Sequence, residues 1–282
     1  MTRSKNVALG EFLRTRRARV DPYALGLPVA DRRRVPGLRR EELAQLARVS
    51  HDYYARLEQG RQTTASPAVL DAVADALRLS ADERSHLYDL ASVADVAAPP
   101  APPRIVDRGT RRLIDALGDT PVILRGAFSE VITVNPAGAF LFADFNRMAA
   151  QARNGLRWML LEPQARELYG PGWEDAAAEM TGRLRLEAGR RPADPRGAAL
   201  VAELSERSEL FRRVWEQHRV SSWLHDHKTL YHPAFGSMKF FTELVTAHTS
   251  PGQTLVVIMP AQPAAFRAAL HTGEPAPQHA DR

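Results

Sequence analysis

Along the first ninety or so residues, apolar side chains return every three or four positions, the period of one buried helix face. Leu9, Phe12 and Leu13 mark a first helix, Leu43, Leu46 and Ala47 a second, and Tyr54 with Leu57 a third. Val69, Leu70, Val73 and Leu77 mark a fourth, and Leu87 with Leu90 a fifth. The start signals agree with this division. Ser50 stands where an N-cap would open the third helix, Ser66-Pro67 supplies an N-cap followed by an N1 proline, and Ser80 with Glu83 has capping-box spacing.

Four prolines in five residues, Pro99, Pro100, Pro102 and Pro103, then break the pattern. Such a run cannot continue a helix and reads as a stiff, extended connector. Beyond it the period alternates between two and 3.6. Strands are expected at 121–124, 130–134, 229–232, 238–245 and 254–259, and helices at 147–161, 173–187, 198–204 and 209–218. Strands at both ends with helices between them predict an α+β domain on an antiparallel sheet, after an all-α domain of about five helices. The expected division is residues 1–92, a connector at 93–104, a second domain at 105–271 and a frayed tail at 272–282.

Composition narrows what these domains can do. The 282 residues contain no cysteine, which excludes disulfides, thiolate metal sites and a thiol nucleophile and fits a reducing compartment. No apolar targeting segment opens the chain and no run is long and apolar enough to span a bilayer, so a cytoplasmic protein with no membrane partner is expected. The net charge of +5 is unevenly spread. Met1 to Arg61 carries 14 Lys and Arg against 7 Asp and Glu, leaving 24 against 26 for the rest. The basic excess therefore sits in the first fifth of the chain, where it can neutralise phosphates.

The segment from Arg39 to Arg61 carries the functional reading. Two helices crossing at a tight turn need small residues at their contact, which Ala44 and Ala47 supply, a turn residue in Val49, and an inner face in Tyr54 and Leu57. That leaves Ser50, His51, Asp52, Tyr53, Ala55 and Arg56 near the outer face of the third helix, whose N-terminal end is the part such a motif inserts into the major groove.

With Glu41-Glu42-Leu43-Ala44, Val49-Ser50 and Leu57-Glu58-Gln59-Gly60-Arg61 in this order, the chain resembles the Cro-type, xenobiotic-response-element class of helix-turn-helix transcription regulators from about Leu9 to Ala91. The resemblance implies binding to double-stranded DNA by a homodimer. It makes Arg40, His51, Asp52 and Arg56 candidates for the groove, with Arg40 and Ser50 also placed for phosphate. Arg56 can donate two bonds to guanine, and Asp52 can accept from cytosine or orient an arginine. Arg61 and the triplet Arg32, Arg33 and Arg34 are read as backbone contacts that fix register. Two departures stand out: Arg48 replaces the glycine common before the turn valine, and the interval from Val20 to Leu38 is long.

From Leu113 onward the chain is similar to the MmyB-like ligand-binding domain that follows this type of helix-turn-helix. The supporting segments are Val134-Asn135-Pro136-Ala137, Arg153 to Trp158, Ser205 to Val220, Lys228 to Gly236 and Gly252 to Val257. The resemblance implies a PAS-like sheet with helices on one face and a pocket for a small apolar, fatty-acid-like effector. Phe142, Trp158, Phe211 and Trp215 are the candidate lining residues, since they are read as lying on helical faces and are large enough to border a cavity. Two other readings stay open: a second domain that only dimerises, and a metal-dependent enzyme using His225, Asp226, His227 and His232. No His-Glu-x-x-His, phosphate-binding loop or Gly-x-Ser-x-Gly supports the enzyme, so no catalytic residue, metal ligand or cofactor is expected.

Overall fold

The computed structural model describes residues 6–26, 37–62, 64–92, 106–221, 227–246 and 252–272. The proline-rich connector, the Arg32 to Arg34 triplet and most of the tail lie outside the described residues.

The first body is helical: α1 (Val7–Arg19), α2 (Arg40–Leu46), α3 (His51–Glu58), α4 (Pro67–Ala76) and α5 (Ala81–Ala91). Each expected anchor group except Leu46 and the half-buried Val69 turns inward, and Leu9, Phe12, Leu43, Tyr54, Leu57 and Val73 are fully buried. At roughly 2 kcal/mol for each large apolar side chain, this shared core holds helices too short to persist alone. The expected caps are present. The Ser50 and Ser66 hydroxyls accept from Tyr53 N and Val69 N, and Ser80 and Glu83 form the reciprocal capping box. Asn6 caps α1 and donates through Nδ2 to the Leu90 carbonyl at 2.8 Å, tying the start of the domain to its last helix.

The second body is built on five antiparallel strands, β1 (Val122–Arg125), β2 (Val131–Val134), β3 (His227–His232), β4 (Gly236–Thr246) and β5 (Thr254–Pro260), in the order β2-β1-β5-β4-β3. Alternation along β5 sends Val256 and Ile258 to one face and Leu255 and Val257 to the other. Val256 and Ile258 meet a layer formed by α7 (Pro136–Leu141), α8 (Gly155–Leu161), α9 (Pro163–Tyr169), α10 (Trp173–Arg190), α11 (Pro195–Arg207) and α12 (Glu209–Glu216), joined by α13 (Pro263–Thr272). Against the opposite face lies α6 (Arg108–Ala116), whose Ile114 packs on Val122, Leu124, Leu255 and Val257. Helices therefore cover parts of both faces, a correction to the expectation of one.

A second correction concerns the helix expected at 147–161. Only Gly155–Leu161 is α-helical. Before it the chain folds back on itself, with Arg153 donating to the carbonyls of Met148 and Asn146 at 2.8 Å, until Asn154 caps the helix through Leu156 N and Arg157 N. The strands lie within two residues of their expected ends.

The bodies meet along one joint. α5 packs on the C-terminal half of α10, where Gly189 lies so close to His86 that a Cβ would stand 2.6 Å from the imidazole Cε1. Arg190 pairs with Asp89 at 3.0 Å across the same contact, and Arg16 and Arg19 of α1 donate to the main-chain carbonyls of His218 and Gln217.

Candidate nucleic-acid interface and effector cavity

The turn between α2 and α3 sets the outward face of the first body. Ala44 and Ala47 are buried at the crossing, and the Val49 amide donates to the Ala44 carbonyl at 2.9 Å. Arg48, in the position where the resemblance expects glycine, takes φ 54°, the left-handed conformation, and leaves its side chain in solvent. At the far end of α3, Gly60 has φ 68°, and a Cβ there would lie 2.4 Å from the Asn6 carbonyl oxygen. The glycine of the Leu-Glu-x-Gly-Arg run is thus required twice, by backbone angle and by approach.

With α3 held this way, Ser50, His51, Asp52, Arg56 and Arg61 are all exposed. His51 Nδ1 stands 3.5 Å from Asp52 Oδ1. Arg40 opens α2, and its Nε is committed to Glu58 Oε1 at 2.9 Å while the rest of the side chain remains part-exposed. The described residues of the sequence-derived set are thus solvent-accessible, Arg40 at the start of α2, Ser50, His51 and Asp52 at the start of α3, Arg56 in its last turn and Arg61 after it.

Glu58 is the residue that sequence reasoning missed. Its carboxylate is wholly buried yet receives Arg17 Nε at 2.7 Å, Arg17 Nη2 at 2.9 Å and Arg40 Nε. Burial alone would push its pKa up, but the two guanidiniums outweigh it and hold the carboxyl below its usual range. The same bonds, with Glu58 first, raise Arg17. One carboxylate on α3 thereby clamps α1 and α2. Its signal in the sequence is spacing: Glu58 follows Tyr54 by four residues and shares its inward face.

In the second body a cavity of ≈ 70 Å³ lies between the sheet and the helices α8 and α10. Phe142, Phe145, Trp158, Met159, Met180, Leu230, Phe240, Val256 and Ile258 make its wall largely apolar. Phe142 and Trp158 of the sequence-derived set border it, with ring centroids 5.9 Å apart. Phe211 and Trp215 do not; they stack on each other at 5.3 Å elsewhere in the helical layer. By volume the space holds a handful of non-hydrogen atoms, and two of its bounding side chains are methionines, which re-pack at low cost.

Three polar features face this apolar wall. Arg125, at the end of β1, is 5 % exposed, and burial, reinforced by Arg183 and opposed by Glu187, pushes its pKa down to about 9. Trp158 Nε1 is buried without a hydrogen-bond partner among the described residues, whereas the indole of Trp173 donates to the Met159 carbonyl at 2.8 Å. Lys228 borders the cavity and pairs with Glu179 of α10. A ligand oxygen would satisfy the Trp158 indole, and an anionic one would favour the Arg125 cation.

The histidines considered as metal ligands divide differently. His225 and Asp226 lie outside the described residues, His227 is exposed, and His232 stacks on Phe235 at 4.8 Å. Among the described residues no three His, Asp or Glu side chains come together as a metal site, and no helix is long and apolar enough to cross a membrane.

Comparison with known families assigns both bodies. The model of the MmyB-like transcription regulator ligand binding domain matches residues 106–271, and that of a helix-turn-helix domain matches residues 8–87. No curated protein matches the chain.

Proposed function

The chain belongs to the MmyB-like transcription regulators, DNA-binding proteins with a ligand-binding domain, and on that premise we propose that its effector is an apolar molecule with an acidic end. The observation that carries this reading is the placement of buried Arg125 and the unpartnered Trp158 indole on an otherwise apolar wall. An acyl chain gains by leaving water, at roughly 0.8 kcal/mol per buried methylene, and a carboxylate beside Arg125 offsets what the buried cation lost. Five antiparallel strands with helices inserted between the second and third support a PAS-like description. A chain longer than a few carbons requires Met159 and Met180 to swing aside.

On the reader we propose that Arg56, His51 and Asp52 face base edges, that Arg40, Ser50 and Arg61 face phosphates, and that the protein reads DNA as a homodimer. Single heads of this type cover little DNA, and two-fold pairs engage half-sites about 34 Å apart. Sedimentation as a monomer at micromolar concentration, free and on DNA, would count against the pairing. The protein acts by binding and not by catalysis.

The effector reading is tested by heating the full chain with tetradecanoic acid. At 100 times its dissociation constant the acid adds about 2.7 kcal/mol of stability, and Arg125→Met removes most of that gain while leaving a folded domain. A second reading, a domain that only dimerises, draws on Phe241 and Val245, which stand exposed four residues apart on the same side of β4. No acid of any length shifting the melting point would favour it.

A further inference from the structure

Arg16 and Arg17 are neighbours in α1 that point to different bodies. Arg16 turns into the joint, where it pairs with Glu83 at 2.9 Å and donates to the His218 carbonyl. Arg17 turns into the reader and grips Glu58 of α3 with two nitrogens. One turn of helix therefore touches both the end of the α12 segment in the ligand-binding body, the sensor, and α3 of the DNA-binding body, the reader. On the sensor side, the same segment is held by α10: Arg185 donates to the Trp215 carbonyl, meets His218 Nδ1 at 3.1 Å and lies 3.8 Å over the Trp215 ring.

α10 also reaches the cavity. Met180 borders it, Arg185 and Gly189 follow five and nine residues later, and a rise of about 1.5 Å per residue spans the distance in roughly 14 Å of rigid helix. The close seat of Gly189 on His86 leaves no slack in that helix's position against α5. A ligand that displaces Met180 thus acts on the same element that grips the joint. Packed helices respond to such a push by changing seat, not by deforming continuously.

We propose that Arg16 and Arg185 are positioning residues through which the sensor sets the pose of α3 on DNA: cavity occupancy shifts α10, the Arg185 and Arg16 grips on the 215–218 segment carry the shift to α1, and Arg17 passes it to Glu58. The ligand half of this inference rests on the effector reading above; the mechanical half stands without it. Neither Arg16 nor Gly189 lies on the proposed DNA surface or the cavity wall.

The test uses the full chain, an operator selected with it from a random duplex library, and tetradecanoic acid as the probe. Operator affinity is measured with and without saturating acid in the native chain, in Arg16→Ala and in Gly189→Ala, while tryptophan fluorescence reports acid binding. The native ratio is expected to be at least about fivefold, the lower range of natural couplings, and to fall within about twofold in both variants although acid binds them as before. Variants that bind the acid and keep the native ratio would overturn the proposal. Hydrogen exchange provides the arm that needs no ligand. Gly189→Ala is expected to speed exchange in the last turn of α1 and in α3, and loosening confined to α5 and α10 would overturn the mechanical route. If the native chain binds no acid, the effector reading fails, and the exchange result still decides the route.

Discussion

Glu58 and Arg125 are both charged groups inside apolar bodies, and their surroundings treat them in opposite ways. At Glu58 two guanidiniums override burial and the charge is favoured; at Arg125 burial wins and the cation is disfavoured. The first is settled within the fold and serves rigidity, as a reader that presents a fixed face requires. The second borders a cavity, where an anion would favour the cation that burial disfavours. The difference separates a buried charge that builds structure from one that suits recognition.

The largest expected effect comes from taking the first charge away. Glu58→Ala takes the carboxylate from the largely buried Arg17, which still donates to the Leu38 carbonyl, and is expected to cost the reader about 3 kcal/mol. All four tryptophans lie after the connector, so fluorescence follows the sensor while circular dichroism follows both bodies. Denaturation should show the helical signal lost early and the fluorescence transition nearly in place. If the two move together, the joint makes the bodies one cooperative unit and the contrast between them weakens.

On the outer surface, Arg56→Ala should cost about 1 to 3 kcal/mol on a selected operator and relax preference at one position. Arg61→Ala should weaken all sequences alike and flatten the salt dependence of binding. Exchanged behaviour would reverse the assignment of base and phosphate contacts.

Acid should act next, at the joint. Burial first, then Arg185, Arg16, Arg190 and His218, push His86 down to about 3. In the unfolded chain a histidine takes its proton near 6.5, so below that pH the unfolded state binds more protons and stability falls with the pH. The loss begins near pH 6.5, reaches about 2 kcal/mol from His86 alone at pH 5, and levels off below the folded value. His86→Leu, still seated against Phe12, should flatten the melting temperature between pH 7 and 5. An unchanged slope would place the acid-sensitive group elsewhere.

The smallest effect is expected at the turn. Arg48 holds a left-handed backbone angle that glycine adopts freely, so Arg48→Gly should stabilise the reader by at most about 1 kcal/mol, part of it offset by the freer unfolded chain. Measurable destabilisation would mean that the Arg48 side chain contributes packing.

Much of this was legible before the structure. Helical spacing located the five reader helices because each buries one face in a common core, and Ser50, Ser66 and Ser80 marked starts that the hydrogen bonds reproduce. The sensor strands were legible for the same reason. Helices α6, α7, α9 and α13 were not, because Arg108–Ala116 is mostly polar, Pro136–Leu141 and Pro163–Tyr169 are short and Pro263–Thr272 buries only small stretches such as Phe266 and Ala269. The span from Arg147 to Asn154 looked helical by its apolar content, yet Arg153 and Asn154 spend their side chains on a turn. At the cavity, Phe142 and Trp158 were distinguishable from Phe211 and Trp215 only by tertiary placement. Arg125 and Arg16 gave no local signal, since what makes them notable is which body each is buried against.

The central claim joins the two regions: an apolar acid held beside Arg125 alters how the reader holds DNA. The measurement that tests it is the affinity of the full native chain for its selected operator, titrated with and without saturating tetradecanoic acid at one salt concentration. A change of at least about fivefold in either direction is expected. Equal affinities with the acid demonstrably bound would contradict the account and leave a DNA-binding protein whose second domain is indifferent to what it holds.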